Sequence, residues 1–522
     1  MSTMMSRISP FTNEAIRSFA EPTDAASLRA ALERARRALG THYPVVIDGK
    51  RVVTTASILS RNPARPSEIV GNVGSASLDQ AMEAIEVSAR TFETWKGVST
   101  ADRVGVLLRA AKNIRERRDD FNALLILEVG KTWVEADADT AEAIDFLEFY
   151  AREALRYAEP PPLVRLAGEE NRLSYIGLGV GIVIPPWNFA FAIMAGMTAA
   201  AVVAGNTVVL KPSSDSPVIA SVFVDLLHEV GLPPGVVNFV PGSGRIIGDP
   251  LVSHPKTRFI AFTGSKEVGL HINELAAKTV PGQIWIKRVI AEMGGKDAIV
   301  VAADADLDAA ADGIVASAFG FAGQKCSACS RAIVESSVYD AIEAKIVERI
   351  ERLSVGDPAE FGTAVGPVIN ESALESMEAY IATAIREGGR LIVGGVRVPG
   401  EGFVLAPTVI ADVEPHATIA QQEIFGPVLA LLRANDFDDA IAIANNTEFG
   451  LTGALYAGDD AKLERARQDF HVGNLYLNRK CTGALVGVHP FGGFNMSGTD
   501  SKAGGYDYLA LFTQAKMVSK KT

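Results

Sequence analysis

The chain has 522 residues, 48% of them hydrophobic and 21% charged, which is typical of a globular protein too long for a single core. Its net charge of -12 argues against a broad nucleic-acid surface and against attraction to anionic lipid. Three cysteines and an N-terminus without an apolar signal core argue against a secreted disulfide scaffold, so we expect a cytoplasmic protein.

The N-terminal part of the chain is predicted to be mainly helical. The first ~40 residues are typical of a helical extension, and between residues 75 and 157 apolar residues recur at helical intervals. Ala81, Ile85 and Phe92 illustrate this spacing, and Ser77 before them is a favourable helix N-cap. We interpret these apolar stripes as helix faces that pack against a core.

Strand and helix patterns alternate from residue 175 onward. Four short apolar strands, "GIVIPP", "NTVVLKP", "GVVNFVPG" and "TRFIAFTG", are each followed by a helical pattern. A second series of the same kind starts near Ala291. This order predicts an α/β fold with two doubly wound parallel sheets. Pro185, Pro186 and Asn188 interrupt the apolar region 178–210, which therefore favours a strand, a turn and a helix over a membrane span.

Glycine-rich turns after two of the strands indicate a nucleotide site. "GSGRIIG", which contains Gly244, is one residue longer than a dinucleotide-binding fingerprint, so this turn alone is a weak indication. Gly264 and Ser265 in "FTGSKEVG" would begin a helix, whose free amides favour a phosphate. Lys211 ends another strand and would face the crevice in which doubly wound sheets bind ligands.

Cys326 and Cys329 lie close together in "FAGQKCSACS", and three interpretations of the pair are open. A zinc site would need further cysteine or histidine ligands, and the seven histidines do not cluster in the sequence. A redox dithiol would be expected early in a small domain. We favour a single nucleophile at Cys326, with Lys325 near enough to support a thiolate and Cys329 as a small buried residue.

A nucleophilic cysteine needs a base and a group that stabilises an oxyanion. Glu292 in "AEMGGKDAIV" precedes Gly294 and Gly295, which let the backbone approach a neighbour closely. A buried glutamate has a raised pKa and can act as a base near neutral pH. Asn188 in "PPWNF" ends a predicted strand, where its amide would donate to a developing oxyanion.

These segments together resemble the aldehyde dehydrogenase superfamily, from residue 40 to the end of the chain. "GNTVVLKPS", "EMGGKDA", "GQKCSACSR", "QQEIFGPV" and "PFGGFNMSG" occur in the order of that family. The resemblance implies NAD(P)-dependent oxidation of an aldehyde through a Cys326 thiohemiacetal and thioester, with Glu292 as base and Asn188 in the oxyanion hole. It also implies two Rossmann-type domains and a small oligomerisation hairpin.

The resemblance further implies a set of cofactor contacts. Lys211 matches a residue that binds the adenine ribose, and Ser265 matches one that contacts the pyrophosphate. Glu423 and Phe425 match contacts to the nicotinamide ribose and ring. The full set of expected contacts to NAD is Ile184, Pro185, Trp187, Lys211, Ser213, Ser214, Gly244, Thr263, Gly264, Ser265, Gly294, Glu423 and Phe425. Ser214 replaces a glutamate that many members place on the ribose 2′-hydroxyl, so NADP is also compatible.

Within the superfamily, the chain is most similar to the 1-pyrroline-5-carboxylate dehydrogenase subfamily, as "GQKCSACSR" and the segments 128–153 and 470–505 indicate. This subfamily oxidises L-glutamate γ-semialdehyde to L-glutamate in proline catabolism, without a metal. The residues expected to contact that substrate are Glu142, Phe189, Lys325, Ser327, Gly483, Ala484 and Phe491. His489 stands where the subfamily usually has glutamine, so another semialdehyde, such as succinate semialdehyde, is the alternative substrate.

The resemblance also implies a domain organisation and partners. A cofactor domain would comprise residues 1–159 and 179–290, a catalytic domain residues 291–505, and oligomerisation elements residues 160–178 and 506–522. We expect a homo-oligomer, either a dimer or an assembly of dimers, of the type without its own proline dehydrogenase region but functionally linked to such an enzyme. A non-catalytic protein of this fold and a cofactor-free thiol hydrolase are the remaining interpretations.

Overall fold

The computed structural model describes residues 8–522, so residues 1–7 of the predicted N-terminal extension lie outside the described part. Residues 8–20 form neither a helix nor a strand, and one helix, Pro22–Arg37, follows them. The expectation of a helical extension is therefore wrong for residues 8–20. These residues run along the surface of the following helices, where side-chain contacts replace the hydrogen bonds that a helix would have made.

The predicted helices after Ser77 are confirmed. The Ser77 side chain accepts a hydrogen bond from the Gln80 amide, and the Gln80 side chain accepts one from the Ser77 amide, which is a complete capping box. Gly130 ends the third helix in the left-handed conformation, with φ 74°. The four helices are Leu78–Trp95, Thr100–Glu116, Arg118–Val129 and Trp133–Ala158.

Five strands before these helices went without a prediction. Three of them have only three residues each, which is too short for an alternating pattern to stand out. The five strands are Thr41–Tyr43, Val45–Ile47, Lys50–Val52, Ala56–Asn62 and Arg65–Ser75.

The first of two seven-stranded sheets contains the four strands predicted from the β-α alternation. Its five-strand parallel part is extended by two antiparallel strands from the N-terminal region. In spatial order the strands are Arg288–Glu292, Thr257–Thr263, Val180–Ile184, Thr207–Leu210, Val237–Phe239, Val45–Ile47 and Lys50–Val52. The connecting helices are Ala192–Val203, Pro217–Glu229, Asp249–Ser253 and Lys266–Ala277, with a π-helical turn at Gly244–Gly248.

The second sheet is parallel except at the edge where Arg390–Val393 pairs antiparallel. In spatial order its strands are Arg390–Val393, Thr408–Ala411, Val428–Ala434, Arg331–Glu335, Ala298–Val301, Thr452–Tyr456 and Asn474–Leu477. Its helices are Leu307–Phe319, Tyr339–Ile350, Glu371–Arg386, Thr418–Gln421, Phe437–Asn445 and Asp460–Asp469. Two doubly wound sheets confirm the predicted fold class.

Smaller elements complete the fold. The chain passes from the first sheet to the second between Glu292 and Ala298. Strands Glu169–Gly177 and Thr513–Lys521 form an isolated antiparallel ribbon. The short strands Phe449–Gly450 and Phe494–Asn495 pair, and 3₁₀ turns occupy Gly320–Gly323 and Tyr508–Phe512. Within residues 8–522, no helix has the length and the apolar character needed to cross a membrane.

Candidate active site

A strained turn holds the loop that carries Cys326. The helix Leu307–Phe319 ends in a 3₁₀ turn in which Phe321, Ala322 and Gly323 all have positive φ, between 52° and 67°. A Cβ at Gly323 would collide with the carbonyl of Gly426, so only glycine fits there. Left-handed backbone costs roughly 1–2 kcal/mol for each non-glycine residue, so the surrounding packing must fix this loop.

Cys326 is half-buried and lies among carboxylates. Burial, together with the charges of Asp297, Glu423 and Glu292, raises the pKa of its thiol well above the usual range. Lys325 does not offset this effect, because its Nζ donates to Glu135 Oε1 at 2.7 Å. The expectation that Lys325 supports a thiolate is therefore wrong in this structure, and the thiol needs a proton acceptor.

Asn188 is brought to the cysteine loop by a side-chain hydrogen bond. It follows the strand Val180–Ile184, is 4% exposed, and its Nδ2 donates to the carbonyl of Gln324 at 3.1 Å. Gln324 is itself fixed, because its side chain donates to Pro367 O and accepts from Ile369 N. The Asn188 amide carries two hydrogens, so the one not used by Gln324 can be donated to a developing oxyanion beside Cys326.

Glu292 ends the last strand of the first sheet and its carboxylate is held by three donors. Oε1 accepts from Ser501 Oγ at 2.6 Å and from Ser501 N at 3.2 Å, and Oε2 accepts from Gly493 N at 3.1 Å. Burial nevertheless raises the pKa of Glu292 to about 7. A carboxylate that titrates there can accept a proton at neutral pH and release it again.

Gly294 and Gly295 let two other parts of the site approach the backbone. A Cβ at Gly294 would collide with the carboxylate of Glu423, and one at Gly295 would lie 2.5 Å from the carbonyl oxygen of Cys326. The Gly295 amide donates to Glu423 Oε1 at 3.1 Å. Burial raises the pKa of Glu423 to about 7. The close approach predicted for this glycine pair is thus confirmed, and it joins Glu423 to the cysteine loop.

The carboxyl edge of the first sheet has the properties of a dinucleotide site. Lys211 is 8% exposed, its Nζ donates to Pro212 O at 3.4 Å, and burial lowers its pKa to about 8. An ammonium in such surroundings fits a ligand that brings hydroxyl oxygens. Ser265 caps the helix Lys266–Ala277 by accepting from Val268 N, and no atom lies within 4 Å of a Cβ placed on Gly244.

Other expected cofactor contacts lie at the same edge or beside Cys326. Ile184 and Thr263 end neighbouring parallel strands, and Trp187 packs edge-on against Phe425 with ring centroids 5.5 Å apart. Phe425 has φ 58°, a strained value for a bulky residue. Pro185 and Gly264 follow the ends of those strands, and Ser213 accepts from Asp215 N in the turn that also contains the exposed Ser214.

A loop of residues 482–491, here called the substrate loop, carries three of the residues expected to contact substrate. Cys481 precedes it and donates from Sγ to the carbonyl of Ser327 at 3.4 Å. Gly493 follows it and donates to Glu292. The loop with Gly483, Ala484 and Phe491 is therefore anchored at one end beside the nucleophile and at the other end on the base.

Glu142 and Phe189 lie near the buried lysine Lys131. The ammonium of Lys131 lies 4.3 Å from the ring centroid of Phe189 and 4.4 Å from that of Phe321, and it pairs with Asp139 at 3.4 Å. Burial and the charge of Asp139 raise the pKa of Glu142 to about 8. Glu142 is therefore mostly protonated at neutral pH and can donate a hydrogen bond.

Comparison with known proteins decides the family. The profile of the aldehyde dehydrogenase family matches residues 52–518. The chain belongs to the aldehyde dehydrogenase family. A 1-pyrroline-5-carboxylate dehydrogenase of Geobacillus kaustophilus is 55% identical over 513 residues, which cover 98% of this chain and 99% of that protein.

Two solved structures agree with the fold. A 1-pyrroline-5-carboxylate dehydrogenase from Thermus with bound NAD superposes with a TM-score of 0.97 at 49% identity, covering 99% of this chain and all of that one. A proline utilization A protein from Bdellovibrio bacteriovorus has a TM-score of 0.97 at 43% identity, and the match covers 98% of this chain but 53% of that chain. The predicted family is thereby confirmed.

Several residues that shape this aldehyde dehydrogenase site were not predicted. Ser501 supplies two of the three hydrogen bonds to Glu292, and Lys131 lies between two aromatic rings. Lys296 is 2% exposed near Glu423, and burial lowers its pKa to about 7. A lysine directly after the Gly294–Gly295 pair was a visible signal. In the part of the chain that the structure describes, no three potential metal ligands group together.

Proposed function

We propose that this protein is an NAD(P)-dependent L-glutamate γ-semialdehyde dehydrogenase, which oxidises the open-chain form of 1-pyrroline-5-carboxylate to L-glutamate. The observation that carries the proposal is the grouping of Cys326, Glu292 and Asn188 around one loop, each fixed by separate contacts. The relatives that match almost the whole chain at 53–55% identity bear the name of this activity.

The first step is attack of Cys326 Sγ on the aldehyde carbon. The S–C bond forms, the thiol proton passes to water, and the carbonyl π-electrons move to oxygen. Asn188 Nδ2 and the Cys326 amide donate to that oxygen and stabilise its charge. Glu292, whose pKa is raised to about 7, is the proposed base of the later hydrolysis step.

A bound dinucleotide would supply the acceptor for the hydride that leaves the thiohemiacetal carbon, and a thioester on Cys326 would remain. Lys211 is the proposed contact of the adenine ribose, Ser265 of the pyrophosphate, and Glu423 with Phe425 of the nicotinamide half. Ser213 and Ser214 bring no carboxylate to the ribose 2′-oxygen, so the turn is compatible with NADP as well as NAD. The remaining proposed contacts are Ile184, Pro185, Trp187, Gly244, Thr263, Gly264 and Gly294.

Hydrolysis of the thioester uses Glu292 as the base and Cys326 as the leaving group. Glu292 accepts a proton from water, the hydroxide oxygen adds to the thioester carbon, and the Cys326 sulfur leaves. The proton on Glu292 is then released or passed to the Cys326 thiolate, which restores the starting state. The raised pKa of Glu292 matches this double task, because a carboxylate with an ordinary pKa would be a poorer base.

The substrate loop and its neighbours are proposed to recognise the amino-acid head of the substrate. Ser327 with the backbone of Gly483 and Ala484 would donate to the carboxylate, and Lys325 would add positive charge. Phe189 and Phe491 would enclose the aliphatic stem. Glu142 is the remaining proposed contact, at the far end of the site.

The isolated ribbon supports a homo-oligomer. Two-stranded ribbons are marginally stable alone, and the ribbon Glu169–Gly177 with Thr513–Lys521 leaves Tyr175, Ile176 and Met517 exposed. We infer a dimer or an assembly of dimers built on residues 160–178 and 506–522. The match to half of a proline utilization A chain supports a functional link to a proline dehydrogenase. A cytoplasmic location is part of the same proposal.

The two sheets support the remaining domain assignments. The cofactor domain would comprise residues 1–159 and 179–290, and the catalytic domain residues 291–505, with Glu292 at the junction.

An aldehyde panel tests the function. Purified protein is assayed with NAD and with NADP on glutamate γ-semialdehyde, succinate semialdehyde and propanal. We expect glutamate γ-semialdehyde to have the highest kcat/KM. Faster oxidation of succinate semialdehyde would contradict the substrate, and no reduction of either cofactor with any aldehyde would contradict the activity.

A further inference from the structure

The N-terminal segment of residues 8–19 runs antiparallel along one face of the long helix Trp133–Ala158. Each contact lies roughly one or two helical turns from the last. In order the contacts are Phe19 with Trp133, Arg17 with Asp137, Asn13 and Glu14 with Asp145, Phe11 with Phe149, and Ser9 with Arg152. The segment is therefore fixed on this helix by aromatic, charged and hydrogen-bonded contacts together.

Asn13 is the residue of this segment that also reaches the substrate loop. Its Nδ2 donates to Asp145 Oδ2 at 2.9 Å and to the carbonyl of Val486 at 2.9 Å. The Glu14 amide donates to the other oxygen of Asp145 at 2.7 Å, and Asp145 is 4% exposed. One buried carboxylate thus sets the direction of the Asn13 amide, which uses both hydrogens in the bridge.

An apolar contact supports the same part of the loop. Gly487 has φ 76°, and a Cβ there would lie 3.2 Å from the Phe11 ring and 3.1 Å from the Phe149 ring. The Gly487 amide donates to Gly504 O, so the loop is fixed from the C-terminal side as well. Phe11 and Asn13 therefore contact adjacent residues of the loop, one through its ring and the other through its amide.

We propose that the segment 8–19 positions the substrate loop. Asn13 is the positioning residue, and it fixes the distance of Gly483 and Ala484 from Cys326. This inference rests on the proposed function, because the loop is assigned there to the amino-acid head of the substrate. Asn13 itself touches neither Cys326 nor Glu292. Loss of its bridge should loosen recognition of the head group and leave the chemical step intact.

Matched variants on two aldehydes test the proposal. Asn13→Ala removes the bridge, and Glu14→Ala is the control, since its side chain pairs with Arg115 and Arg118 and not with the loop. We expect Asn13→Ala to raise KM for glutamate γ-semialdehyde about 10-fold, the effect of losing one hydrogen bond, with kcat nearly unchanged. Propanal, which lacks the amino-acid head, should be oxidised as by the unchanged protein, and Glu14→Ala should affect neither aldehyde.

Other outcomes overturn the proposal. A parallel loss on both aldehydes, or the same result for Asn13→Ala and Glu14→Ala, would leave the segment with a purely structural role. If Asn13→Ala does not fold, Phe11→Ala removes the second contact with the loop, and a normal KM in that variant would equally overturn the inference. The unchanged protein separates the two proposals: if it does not oxidise glutamate γ-semialdehyde, the proposed function fails whatever the variants do.

Discussion

The carboxyl edge of the first sheet and the substrate loop meet at Cys326, but they are held in place differently. At the sheet edge, Lys211 and Glu292 occupy the last positions of strands or the residues just after them, so the sheet itself positions them. The substrate loop has no strand or helix of its own. Its position depends on contacts from distant parts of the chain, namely Ser327, Asn13 and Glu292.

This difference separates two kinds of function within one site. A sheet edge suits a dinucleotide, because the ends of the strands themselves place the residues that contact it. A loop held by side chains from distant segments can change its substrate preference when those contacts change, without disturbing the sheets. Substitutions at the two regions should therefore give different kinetic signatures, and substitutions where they meet should affect both.

Replacement of Cys326 by serine should have the largest effect, because it removes the nucleophile at which the sheet edge and the substrate loop meet. We expect Cys326→Ser to lower oxidation of every aldehyde by at least ~10⁴-fold, as loss of a covalent nucleophile does in other enzymes. NAD binding should persist, since the sheet edge is untouched, and can be measured by titration calorimetry. Cys329→Ser is the matched control, because Cys329 is buried and its Sγ donates to the carbonyl of Arg331, so it is not available as a nucleophile. Equal losses in both variants would contradict the assignment.

Glu292→Gln should have the next largest effect, on one chemical step. Glutamine keeps the size of the side chain but cannot take a proton from water, so thioester hydrolysis should slow by about 10²–10⁴-fold. Rapid mixing with NAD and aldehyde should then show a burst of reduced cofactor close to one per site, followed by a slow steady state. A normal steady-state rate would remove Glu292 from the role of base.

The residues that the sequence predicted are those whose position follows from local pattern. Lys211 and Glu292 lie at the ends of strands that alternate with helices, and the pair Gly294 and Gly295 indicates a close approach of the backbone. Ser501, Lys131 and Asn13 gave no such signal, because each acts through a partner brought close only by the tertiary fold. Ser501 and Glu292, for example, are 209 positions apart. Family resemblance supplied the substrate loop, but it did not show what holds the loop in place.

Lys211→Met should affect the sheet edge alone. Loss of the ammonium removes a proposed contact to the adenine ribose, so KM for NAD should rise about 10-fold while KM for the aldehyde stays the same. Burial lowers the pKa of Lys211 to about 8, so its charged form is disfavoured in the folded protein and its removal should not lower the unfolding temperature. A changed aldehyde KM with normal NAD binding would contradict the separation of the two regions.

Ser501→Ala should have the smallest effect, and it tests a hydrogen bond that Glu292 receives from outside the first sheet. The Ser501 hydroxyl donates to Glu292 and lowers the pKa of that carboxyl, so its removal should raise the pKa above its present value of about 7. Glu292 must be ionised to accept a proton, and activity therefore falls as pH drops through its pKa. The acid limb of the rate profile should move to higher pH by about one unit, which corresponds to the loss of one hydrogen bond.

The measurement for Ser501→Ala is thioester hydrolysis from pH 5.5 to 9, with Ser501→Thr as the control that keeps a hydroxyl. The Ser501 and Gly493 amides still hold the carboxylate in both variants, so its position should be retained and the plateau rate at high pH should change little. An unmoved acid limb, or one that moves to lower pH, would mean that the group that titrates in this step is not Glu292. Movement of the acid limb in Ser501→Ala alone would show that a side chain from outside the first sheet lowers the pKa of Glu292, whereas the sheet sets the position of Glu292.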